Sequence, residues 1–325
     1  MRSDTATAPS CGPTVPGGRA PARVTERTLC FDGFTYHCRI VQQDAPVTLP
    51  LVLLGGSSQN RHAWLRHEAA LSVPGPLVTV DLPGYGAADF LPVRYGIDFL
   101  AAVVRHMLGE LGMARVHLVG ACFGAAVALR FAQHYPDRLA RLALCGMTLR
   151  VPEEYAAAVP RWTGLLERGE LATAAAELVE RFVSPAAAGP VRKRAVVARL
   201  LHQQFMAQSP EDVRKVLEHN ARLLRHEWYR PESVPAVPSL VFTGEHDTLC
   251  TPAMGRRVAA VLPAADFTTV READHLVPVE RTAEFCDLLV RFCTGASLAG
   301  LPYCHPLERP AASRGVGPAR VPEAG

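Results

Sequence analysis

Three side chains in this sequence are of the types that together make and break an acyl bond: Cys122, Asp247 and His275. Cys122 is the centre of Gly120-Ala121-Cys122-Phe123-Gly124, which follows a short apolar run and precedes a stretch of helical spacing. A nucleophile raised on a sharp strand-to-helix turn needs a strained backbone, and flanking glycines let neighbouring chain approach without a Cβ clash. A bare G-x-C-x-G would be weak evidence. In this strand–turn–helix setting it points to a nucleophile, whereas Cys145, without such flanks, reads as a core residue. Asp247 ends Leu240-Val241-Phe242-Thr243-Gly244-Glu245-His246-Asp247, at the carboxyl edge of a predicted strand, where open α/β sheets gather functional groups. His275 follows the last predicted strand, in Ala273-Asp274-His275-Leu276. Nucleophile, acid and base thus occur in that chain order. Asp274 and His246 are immediate neighbours of these residues, and Asp274 reads as shaping the loop.

An oxyanion needs two backbone N–H donors aimed at it. Phe123, directly after the nucleophile, is expected to supply one. The loop after the Leu49–Leu54 strand is expected to supply the other from Ser57, with Gly55 and Gly56 keeping that loop open. A cysteine at a helix N-terminus beside an imidazole is favoured as thiolate. Its acyl-enzyme would be a thioester, which suits transfer or ring closure at least as well as hydrolysis.

The elements that must position these groups follow an α/β rhythm. Thr28 to Val41 alternates around Asp32-Gly33, a hairpin signal. Short apolar runs at Leu49–Leu54, Leu77–Val80, Val116–Val119, Leu139–Leu144, Ser239–Thr243 and Phe267–Val270 alternate with helical stretches, as in a mostly parallel sheet covered on both faces. From Thr148 to Pro235 only helical patterns occur, at Glu153–Glu167, Leu171–Phe182, Val191–Gln208 and Pro210–Glu227. The expected organisation is a disordered tail over 1–24, a core over 25–148 and 236–295, a helical insertion over 149–235, and a disordered tail over 296–325. Trp162, Leu165, Leu166, Phe182, Phe205, Met206, Trp228 and Tyr229 give the insertion bulky apolar surface, mostly its own core and in part a pocket for an apolar acyl chain.

Composition narrows the classes further. Apolar residues make up 49% of the 325, enough for a sizeable core, and a net charge of +3 without like-charge blocks argues against nucleic-acid binding. The cluster Arg192, Lys193 and Arg194 reads as a solvated helix face. Nine cysteines, without metal-ligand spacing or a CxxC pair, suit a reducing compartment, and no apolar run is long enough for a membrane span. A cytoplasmic enzyme without metal, nucleotide or flavin is expected.

Taken together, the Gly-Gly loop, Asp81-Leu82-Pro83-Gly84-Tyr85-Gly86, the elbow, Thr243 to Asp247 and Asp274-His275 resemble the α/β-hydrolase superfamily over roughly Thr28 to Phe292. The resemblance implies that Cys122, Asp247 and His275 form the triad and that the insertion is a lid. Two features depart from the pattern: Gly55-Gly56 replaces the usual His-Gly, and cysteine replaces serine. Dienelactone hydrolases share the cysteine elbow, but a long helical lid looks more like thioesterases and acyl-transfer enzymes of bacterial secondary metabolism. The expectation is a small-molecule acyl substrate, free or presented on an acyl-carrier domain, that is released, transferred or cyclised. The alternatives are a simple ester or lactone hydrolase, and a lyase or cyclase using only His275 and Asp247.

Overall fold

A computed structural model describes residues 22–57, 59–231 and 236–310. Strands β1 (Arg23–Phe31) and β2 (Phe34–Gln42) form the expected hairpin, turning at Asp32-Gly33. Then come β3 (Leu51–Leu54), α1 (Leu65–Leu71), β4 (Leu77–Asp81), α2 (Ile97–Glu110), β5 (Val116–Ala121), α3 (Phe123–His134) and β6 (Leu139–Cys145). The insertion carries α4 (Glu153–Glu167), α5 (Leu171–Phe182), α6 (Arg194–Met206) and α7 (Pro210–Arg225). The chain closes with β7 (Ser239–Gly244), α8 (Pro252–Ala260), β8 (Ala265–Val270), α9 (Val277–Glu280) and α10 (Thr282–Thr294).

The eight strands form one sheet in the order β1-β2-β4-β3-β5-β6-β7-β8, antiparallel at β1 and β2 and parallel from β4 onward. Its inner strands are apolar on both faces because both are covered. Val52, Leu54, Leu118 and Leu144 meet α2, α3 and α8, while Leu51, Leu53, Val119 and Ala143 meet α1 and α10. Every residue of β5 is buried, and its carboxyl end leads to Cys122, which lines cavities shared with the inserted helices.

The expected C-terminal tail needs correction. The segment from 296 to 310 is not a disordered tail. Glu308 exchanges backbone hydrogen bonds with Phe267 at 2.8 Å each way, and the His305 amide donates to Thr269, so this segment covers the β8 edge. Cys304, within that expected tail, is consequently buried, and burial pushes its thiol up to about 11. The last helix breaks at Arg281 into α9 and α10. The remainder of the two expected tails, 1–21 and 311–325, lies outside the described residues. Among the described residues no helix is long and apolar enough to cross a membrane.

Candidate active site

Cys122 stands between β5 and α3 with φ 53° and ψ −122°. Such a backbone costs a non-glycine residue about 1–3 kcal/mol and persists only where the surroundings impose it. Here they do. The Cys122 amide donates to Cys145 O at 2.9 Å, carrying the β5–β6 ladder up to the turn. A Cβ at Gly120 would overlap the backbone of Gly124 and Ala125, and one at Gly124 would overlap the Leu54 and Gly55 carbonyls. Both glycines are therefore close-contact positions, and their spacing follows from how tightly β5, α3 and the end of β3 pack.

Asp247 and His275 come together at the carboxyl edge of the sheet. His275 Nδ1 lies 2.9 Å from Asp247 Oδ2, and both residues are almost wholly buried, at 3% and 2% exposure. The other bonds to Asp247 explain why it tolerates burial. Thr243 Oγ1 donates to Oδ2, and the Leu249 and Cys250 amides donate to Oδ1 at 2.9 and 2.7 Å. Burial alone would keep His275 neutral. The Asp247 carboxylate and the Cys122 sulfur outweigh it and push the imidazole well above the ordinary histidine value. Its Nε2 has no partner of hydrogen-bonding geometry, while the Cys122 sulfur favours its charged form and the ring in turn partly offsets the burial of the Cys250 thiol.

Gly56 faces Cys122: a Cβ built there would sit 3.3 Å from Cys122 Cβ. The Gly56 N–H is taken by Gln59 Oε1 at 2.7 Å, which braces the loop. Among the described residues the Ser57 and Phe123 amides have no such acceptor, which leaves both free to serve an oxyanion.

Sequence reasoning missed several positions. Gln59 carried no motif. Gly146, at φ 60°, lies against the imidazole, where a Cβ would come within 3.0 Å of Cε1; a lone glycine after a strand was the only available signal. Asp274, read from the sequence as shaping its loop, accepts the His275 amide at 2.7 Å on one oxygen and, unforeseen, the Ser184 amide on the other, joining the histidine loop to the insertion. Its own N–H donates to Glu280 at 2.6 Å.

Cys122 opens onto two compartments. The outer, about 270 Å³, is walled by apolar Val197, Leu200, Leu201, Phe205, Leu276 and Val279. The inner, about 40 Å³, lies beneath α4 and α7 between Phe123 and Cys250. Ser57 and Phe182 border both compartments. Of the bulky lid residues, Phe182, Phe205, Leu166 and Trp228 reach a cavity, whereas Trp162 packs on Tyr155 and Met206 is exposed.

A profile described as alpha/beta hydrolase fold matches residues 50–282. A curated 2-hydroxy-6-oxononadienedioate/2-hydroxy-6-oxononatrienedioate hydrolase of Paraburkholderia phymatum is 27% identical over 250 residues, spanning 74% of this chain and 86% of its own. The pimeloyl-[acyl-carrier protein] methyl ester esterase of Aeromonas hydrophila is 26% identical, with 74% and 94% covered. Among solved structures, the enol-lactonase from Burkholderia xenovorans LB400 superposes with a TM-score of 0.71 at 22% identity, covering 82% of this chain and all of that one.

Proposed function

This chain belongs to the α/β-hydrolase-fold family, and on that premise we propose that it hydrolyses small carboxylic esters or lactones through a thioester formed on Cys122. The observation that carries the reading is the strained elbow, with Cys122 held at φ 53° beside the buried His275–Asp247 pair. A serine at this point would need a neutral imidazole to take its proton. An imidazole pushed toward its charged form suits a thiolate partner instead, with Asp247 stabilising the imidazolium.

In the proposed sequence the Cys122 thiolate attacks the carbonyl carbon, and the oxyanion is received by the Ser57 and Phe123 N–H groups. Collapse breaks the acyl–oxygen bond as His275 Nε2–H gives its proton to the departing alkoxide. Neutral His275 then takes a proton from water as the water attacks the thioester. The second collapse releases the acid and restores the thiolate–imidazolium pair.

Cysteine chemistry by itself leaves transfer and cyclisation as open as hydrolysis. The relatives named above are a hydrolase, an esterase and a lactonase, which favours hydrolysis. The thioesterase and secondary-metabolism reading draws no support from them. The test is rapid quench with p-nitrophenyl acetate followed by intact-mass measurement and peptide mapping. An acetyl adduct on Cys122 that forms and decays at the turnover rate is expected. Near wild-type turnover by Cys122→Ala would overturn the covalent route.

A further inference from the structure

The proposed mechanism leaves one set of polar groups beside Cys122 unused. The inner compartment is lined mostly by apolar side chains, Val151, Leu223, Trp228 and Leu249 among them, with Thr148, Tyr155 and His219 among its polar members; Tyr155 and His219 also reach a recess of about 20 Å³ behind it, which Asn220 borders. Thr148, Tyr155, His219 and Asn220 are each 8% exposed or less. Among the described residues the Thr148 and Tyr155 hydroxyls, the Asn220 amide and His219 Nε2 have no partner within the chain. These atoms are open to the cavities, whereas Trp228 Nε1, on the same inner wall, is sealed off without a partner. A buried polar group without a partner is costly, and Thr148, Tyr155 and His219 in one otherwise apolar compartment form a site for a single oxygen.

His219 Nδ1 pairs with the Tyr85 hydroxyl at 3.0 Å, and Arg222 Nη1, which can only donate, lies 3.4 Å from the same oxygen. His219 Nε2 is left to the cavity, as donor or acceptor according to the tautomer. Burial first, and the Arg222 charge second, hold the ring neutral, lowering it to about 3. The Arg222 guanidinium itself is committed to the Leu91 and Tyr95 carbonyls at 2.6 and 2.9 Å. No free cation among these groups faces the space, so a carboxylate there would lose its hydration without a counter-charge.

We propose that the inner compartment receives the acyl half of the substrate and recognises a neutral oxygen, a hydroxyl or oxo group, close to the reacting carbonyl. The enzyme therefore prefers esters or lactones of short oxygenated acids to those of plain alkyl acids. This inference rests on the hydrolytic reading above and names its acyl class. The apolar outer compartment is left for the departing half.

The test compares ethyl 3-hydroxybutanoate and ethyl 3-oxobutanoate with ethyl butanoate. A site built to hydrogen-bond an oxygen should favour the oxygenated esters by at least about tenfold in kcat/KM. Tyr155→Phe and Thr148→Val, each shown folded by thermal unfolding, should reduce that ratio severalfold. Equal kcat/KM for all three esters, or a ratio that neither substitution moves, would overturn the inference and leave a water-filled recess. A binding measurement separates its failure from that of the hydrolytic reading. Calorimetry on Cys122→Ala should show tighter binding of 3-hydroxybutanamide than of butanamide. Selective binding without any ester turnover would sink hydrolysis and keep the site; turnover without selectivity would do the reverse.

Discussion

Asp274 takes the backbone N–H of Ser184, ninety positions earlier in the chain, on the same carboxylate that holds the amide of His275. Ser184 lies two residues beyond Phe182, the last residue of α5, whose ring lies 5.8 Å from that of His275. One buried carboxylate thus sets both the histidine loop and the part of the insertion that borders the two compartments.

Removing that strut should uncouple the two. Asp274→Ala is expected to lower kcat/KM by roughly tenfold or more, since two buried N–H groups lose their acceptor. Limited proteolysis should also cut faster after α5. Unchanged kinetics and unchanged cleavage would show that packing of Phe182 alone fixes this segment.

The elbow conformation predicts opposite effects on stability and activity. Cys122→Gly should raise the thermal midpoint, because glycine adopts φ 53° freely and releases part of the roughly 1–3 kcal/mol of strain. Turnover should vanish. A lower midpoint, measured by calorimetry on both proteins, would mean that the Cys122 side chain contributes more in packing than its backbone costs.

Thiol reactivity should separate Cys122 from its neighbours. Burial pushes Cys250 up to about 11 and raises Cys145 further, with His275 only partly offsetting this. Iodoacetamide at pH 6 should therefore mark Cys122 first, and His275→Ala should slow the labelling. Peptide mapping that finds Cys250 labelled first would assign the reactive thiol to the wrong side of the imidazole for the proposed attack.

Glu280 gives a pH signature. Burial, with the Asp274 charge adding to it, raises its carboxyl from an ordinary 4.5 to about 7, against the hydrogen bond from the Asp274 amide. The folded state thus holds a proton that unfolding releases between those values, so stability falls as pH rises from about 4.5 to 7. Glu280→Gln should flatten that slope, raising the thermal midpoint at pH 8 by the equivalent of up to about 3 kcal/mol and leaving it nearly unchanged at pH 5. Parallel midpoint curves for the two proteins would rule the effect out.

The sequence by itself determined the strand–turn–helix around Cys122, the chain order of Cys122, Asp247 and His275, and the helical insertion, because these are local properties. Gly120 and Gly124 flank Cys122 within one turn of chain, and α4 and α5 show their apolar periodicity over exactly the residues that form them. Only the tertiary structure decided what surrounds the reacting atoms. Gly146 against His275, Gln59 on the Gly56 amide and Asp274 on Ser184 are meetings of separate loops at one sheet edge, and none leaves a periodic trace. The polar inner wall likewise draws Thr148, Tyr155 and His219 from the end of β6, α4 and α7. The C-terminal segment was misread for a related reason. It is held to β8 largely through backbone hydrogen bonds, which every non-proline residue can make and which composition therefore cannot reveal.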